Sequence, residues 1–190
     1  MNLRNIRSHK KSVKLLILLL SSLLIASASA SVYYSMIMQP SVTVTSATIV
    51  FANGNDFPSG SLMGSNSTWV SLALKAYPNA TLIYDQPLNI SNTDSVSHTF
   101  RLRHISITPD TGNAQVANFT FINFVVENTA GVAQASFNYT TTGTTWNPPA
   151  ATSSMTLPAT TQWIIYVETK ATAGANAVTA NLQISVDVTQ

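Results

Sequence analysis

The stretch AVTANLQISVDVT, residues 177–189, decides the fold. Val178, Ala180, Leu182, Ile184, Val186 and Val188 alternate with Thr179, Asn181, Gln183, Ser185, Asp187 and Thr189, a period of two that collects the apolar side chains on one face of an extended strand. A strand with one dry and one wet face belongs to an antiparallel sheet packed on a core. Upstream, TLPATTQWIIYV (156–167) reads as a turn at Pro158 leading into a core strand that carries Trp163, Ile165 and Val167. Strands are expected near 41–51, 68–76, 80–85, 98–108, 117–127, 134–141, 162–169 and 177–189, divided by turn-rich segments such as NGNDFPSGS and TPDTGN. With no convincing helix among them, these predict an all-β, antiparallel β-sandwich of immunoglobulin-like or jelly-roll type, in one domain over residues 41–190.

Two strands depart from simple alternation. NFTFINFVVEN (118–128) is apolar on both faces, with Phe119, Phe121 and Val125 opposed to Ile122, Phe124 and Val126, so its outer side needs a cover. In HTFRLRHISIT (98–108) the face of Phe100 and Leu102 ends at His104, and Ile105 and Ile107 continue on the other parity, which predicts a bulge near 103–105.

Hydrophobic residues make up 45% of the chain and charged residues 8%, giving a neutral polar surface over an apolar core. Five of the nine basic residues lie within the first fourteen positions. From residue 31 on, four Lys and Arg stand against seven Asp and Glu, a net of −3, which leaves no basic stripe for a nucleic-acid partner. Cysteine is absent, so neither a disulfide nor a thiolate site is available.

The N-terminus has the grammar of a signal peptide over residues 1–30: basic residues to Lys14, the apolar run LLILLLSSLLI, then ASASA. Cleavage between Ala30 and Ser31 is expected, making the product secreted, with contact to a membrane only through the leader. Two other readings stay open: an uncleaved anchor over 15–38, and type IV pilin processing near Lys11-Ser12 that would retain the apolar run as a core helix.

Chemical motifs are sparse. Asp94, His98 and His104 suggest a metal or acid-base cluster, but six residues along a strand separate the two histidines by about 20 Å. No nucleophile elbow, phosphate loop or cofactor fingerprint occurs, so the sequence predicts no enzyme, cofactor or metal. Five N-x-S/T sequons, at Asn66, Asn79, Asn89, Asn118 and Asn138, predict an N-glycosylated surface.

The remaining oddity is SVYYSMIMQP, residues 31–40. Ser31, Val32, Tyr33, Tyr34, Ser35, Met36, Ile37, Met38 and Gln39 form a segment with almost no polar face, closed by Pro40 as a hinge. An extended segment of this composition wants burial on both sides. The leader ending in small residues, this short apolar strand, the Cys-free body and the amphipathic last strand together resemble archaeal extracellular threads and bundling pili, relatives of the TasA and camelysin biofilm proteins. That resemblance implies a β-sandwich subunit whose residues 31–39 leave their own domain as a donor strand and complete an identical subunit. A homopolymeric filament for adhesion, lateral bundling or biofilm cohesion would result. Head-to-tail contacts of this kind propagate instead of closing.

Overall fold

The computed structural model describes residues 10–22 and 45–189, in two compact units that divide between Val44 and Thr45. In the first unit residues 10–22 are helical, with the apolar side chains of 15–20 exposed. Among the described residues no helix is long and apolar enough to cross a membrane. The expected cleavage point at Ala30 and Ser31, the donor strand 31–39 and the hinge Pro40 lie outside the described residues.

The second unit is all-β and built from two antiparallel sheets. Its strands are β1 (Ile49–Asn53), β2 (Leu62–Met63), β3 (Trp69–Leu74), β4 (Thr81–Asn92), β5 (His98–Thr108), β6 (Phe119–Glu127), β7 (Ala133–Thr142), β8 (Thr145–Asn147), β9 (Met155–Leu157), β10 (Gln162–Ala171) and β11 (Ala180–Thr189). The larger sheet runs β1-β4-β10-β6-β7-β8 and the smaller β2-β3-β11-β5-β9. A 3-10 turn, Ala114–Asn118, is capped by the Asn113 side chain, which accepts from the Gln115 N–H.

One apolar core lies between the sheets, and the alternation of each strand explains its membership. From β11 it takes Ala180, Leu182, Ile184 and Val186; from β10, Trp163, Ile165 and Val167; from β6, Ile122, Phe124 and Val126. The opposite face of β6 is covered within its own sheet: Phe121 and Val125 are half-buried beside Lys170 and Tyr166 of β10. Burial and the neighbouring Glu168, whose carboxylate accepts from Tyr166, push that phenol up to about 12.

The expected bulge in β5 is present. Against β11 the register passes from Ser106↔Gln183 to His104↔Ile184, leaving Ile105 as the extra residue. β4 runs well past the expected 80–85, because its Pro87 sits where β10 shifts register between Ile165 and Val167, a place that needs no donated ladder bond. β1 begins later than the expected position 41 within the described residues, and β2, β8 and β9 carry too few residues for a periodic pattern.

Candidate functional site

The two sheets meet along two margins that are finished differently. At the first, between β1-β4 and β2-β3, the backbone does the joining. Phe51 N donates to Ser67 O at 2.7 Å and Val186 N to Thr68 O at 2.9 Å, so the 64–68 turn bridges the sheets. The Tyr84 hydroxyl accepts from Lys75 N at 2.9 Å, and Thr169 Oγ1 donates to Lys75 O. Burial raises the Tyr84 pKa above its ordinary value, so the phenol stays protonated.

The second margin, between β5-β9 and β7-β8, is closed by side chains. Tyr139 of β7 is fully buried and its hydroxyl lies 3.0 Å from His104 Nδ1 of β5, with the rings edge to face at 5.3 Å. Burial pushes the tyrosine up and the imidazole below its ordinary value, so the contact joins a neutral ring to a protonated phenol. Trp146 of β8 donates from Nε1 to Pro109 O at 2.8 Å and packs on Phe119.

The backbone on this margin is left incomplete. β9 pairs with β5 only at His98, Thr99 and Phe100. Beyond it Thr152 binds Leu102, accepting its N–H through Oγ1 and donating its own N–H to Leu102 O. Past Leu102 no strand among the described residues pairs with the outer edge of β5. Likewise β8 pairs with β7 only at Thr140, Thr141 and Thr142, so among the described residues β7 has a neighbour only in β6 from Ala133 to Tyr139. Two open sheet edges thus flank the His104–Tyr139 contact, and unpaired edges of this kind are templates for another strand.

Other groups are accounted for more simply. Asp94 and His98 pair at 2.8 Å, and that bond holds the carboxyl below its usual range. His104 takes part in the separate contact with Tyr139, so the two histidines do not converge. Among the described residues no group of His, Cys, Asp or Glu is arranged to hold a metal. Arg101 and Arg103 both reach Asp187 across the exposed face of β5 and β11. A shallow cleft of about 470 Å³ lies between residues 75–78 and 175–179, with Tyr77 exposed on it.

Four of the five sequons are accessible. Asn66, Asn79 and Asn138 are exposed and Asn118 is partly so. Asn89 differs: it is 6% exposed, its Nδ2 donates to Asn53 O and its Oδ1 accepts from Gln86, so the folded site leaves the amide nitrogen no room for a sugar. In the sequence His104 stands out only as a candidate metal or acid-base group, and Tyr139 and Trp146 do not stand out at all. The signal that could have exposed them is Gly143 inside a threonine run, a hairpin turn that fixes where β7 ends.

Comparison with known proteins adds little. No protein-family model matches the chain, and no curated protein does. A solved structure titled "BiXyn10A CBM1 APO", a xylanase carbohydrate-binding module, aligns over 75% of this chain and 91% of its own at 11% identity, with a TM-score of 0.25. A likeness of that size assigns neither a fold nor a ligand.

Proposed function

We propose that this chain is a structural subunit of a secreted extracellular filament, in which residues 31–39 of one copy add as a strand to the sandwich of the next. The observation that carries the reading is the pair of edges on β5 and β7 that no strand among the described residues pairs with, in a chain whose sequence also holds a nine-residue apolar segment at 31–39. Few charges and an absent cysteine suit a stable surface polymer held by packing and pairing. Glycans at Asn66, Asn79, Asn118 and Asn138 would hydrate a surface short of charge.

The finer architecture we read as a jelly roll. Taken without β1, β2 and β8, the orders β3-β11-β5-β9 and β4-β10-β6-β7 are those of two interleaved Greek keys.

The test is deletion of residues 31–39 from the full chain in its own host, with electron microscopy of the cell surface. Loss of filaments is expected; normal filaments overturn the reading. A second reading, a surface-anchored binding domain, has the cleft beside Tyr77 in its favour. It predicts a monomeric protein with or without the deletion, and no filaments on the parent cells to lose.

A further inference from the structure

We infer that the cleft between residues 75–78 and 175–179 binds a sugar chain, and that the sugar it takes bears a carboxylate, as a hexuronate does. Such a site serves a filament subunit and a lone surface domain alike, so it does not rest on the filament reading.

The cleft is built before any ligand arrives. Its first wall, LKAYPNA (74–80), is fixed through its backbone. Lys75 N donates to the Tyr84 hydroxyl, Ala171 N donates to Tyr77 O at 3.2 Å, and Tyr77 bridges to Ala80 across a tight turn in which Asn79 has φ +61°. The second wall is the segment that follows β10. There Thr172 N donates to Asn118 O, Ala175 N to Thr172 O and Asn176 N to Asn118 Oδ1, while Val178 packs on the core. Between the walls lie about 470 Å³, a size usual for small-ligand sites. With both walls held by main-chain bonds, binding has little left to order.

The lining names the chemistry of the ligand. Tyr77 is 56% exposed, with Pro78 beside it, so an aromatic face is left to solvent at the mouth of the cleft. The negative face of such a ring attracts the polarised C–H bonds of a pyranose. The Asn176 amide and the Thr179 hydroxyl are also exposed on the lining, and groups that both donate and accept suit the hydroxyls of a sugar ring. Lys75 is the one charged residue there. The ion pairs among the described residues join Asp94 to His98 and Asp187 to Arg101 and Arg103, so none of them neutralises Lys75. In a body of net charge −3, the cleft is thus a cationic spot without an internal counterion. Charge complementarity asks the ligand to supply the carboxylate.

Other anions fit less well. A nucleotide brings several phosphate charges, which call for more cations or a run of backbone N–H donors. A fatty acid needs a dry channel for its tail, whereas Tyr77, Asn176 and Thr179 are open to water. A hexuronate offers one carboxylate, an apolar ring face and hydroxyls that can stay partly hydrated. The sequons at Asn79 and Asn118 border the cleft, which makes the chain's own glycans the occupant to be told apart from it.

The test is saturation-transfer NMR of tri-galacturonate over the full-length protein, with neutral galactotriose as the comparison. Transfer to the ring C–H protons of tri-galacturonate is expected. Tyr77→Ala should weaken the affinity about tenfold, and Lys75→Met should weaken it about fivefold and erase the advantage over galactotriose, whereas Lys75→Arg keeps it. No transfer, or equal binding by the parent chain and Tyr77→Ala, overturns the site. An advantage over galactotriose that survives Lys75→Met overturns the assignment of the carboxylate. Displacement of tri-galacturonate by a peptide with a free C-terminal carboxylate, but not by galactotriose, overturns the sugar in favour of a peptide. Binding seen only after Asn79→Gln or Asn118→Gln means that the chain's own glycan fills the cleft, and this too overturns the proposal. If Tyr77→Ala lowers the melting temperature, the Lys75→Met comparison of the two trisaccharides decides alone.

Discussion

The margin between β1-β4 and β2-β3 and the margin between β5-β9 and β7-β8 enclose the same core, yet they are held by different chemistry. The first is sewn by backbone bonds from Phe51 and Val186 into the 64–68 turn, so few side-chain changes can open it. The second depends on Trp146, Tyr139 and His104, which fasten the sheets while leaving strand edges unpaired. The difference teaches that a sandwich can be complete in its core and incomplete in its ladders. Phe137 and Tyr139 are buried although the strand that carries them has a free side. Edge addition then completes hydrogen bonding more than it fills a hole.

The contrast can be broken most forcefully at Trp146. Replacing it with Ala removes a buried indole and leaves Pro109 O without its donor, at an expected cost of about 3 to 5 kcal/mol. Urea unfolding would measure the loss, and a cost below about 1 kcal/mol would mean that the side-chain seam is not what holds this margin. On the backbone-sewn margin, Gly54→Ala should cost about 1 to 3 kcal/mol, because a Cβ there would run into the Gln86 carbonyl oxygen where Gly54 N reaches Pro87 O. Thermal melting that matches the parent chain would show that the β1-β4 junction gives way more easily than its geometry implies.

Smaller effects sharpen the seam. Tyr139→Phe keeps the ring packing and removes one hydrogen bond, an expected loss of about 1 kcal/mol by denaturant titration. His104 makes the seam sensitive to pH. Burial depresses its folded pKa below the ordinary imidazole value of 6.5, so between those two values the unfolded chain binds a proton that the folded chain refuses. Its contribution is complete above 6.5 and declines as pH falls through that window. His104→Gln should flatten this part of the stability profile, and an unchanged slope would place its origin elsewhere. The least effect on stability is expected for Ser136→Ala on the exposed face of β7.

Much of the fold was legible in the sequence because period-two alternation survives in long strands. The dry face of β11, the Trp163, Ile165 and Val167 face of β10 and the Ile105 bulge all follow from residue parity. β8 and β9 were not legible, since three residues cannot display a period, and their shortness is what leaves β5 and β7 open. The strand expected at 80–85 is only the first part of β4, because the register shift of β10 opposite Pro87 lets the strand continue past the proline to Asn92. Asn89 matched a sequon as well as its four counterparts. Only its place on β4, with Asn53 and Gln86 as partners, separates it from them.

The order of the larger sheet has a further consequence. It begins with β1, where the chain enters the sandwich, and ends at β7 and β8, where the bare edge lies. A body with its entry at one side and its vacancy at the other has a sense of direction. A strand that adds to the β7 edge would therefore approach from the side opposite the chain's entry, and a cap on that edge would leave the entry side untouched.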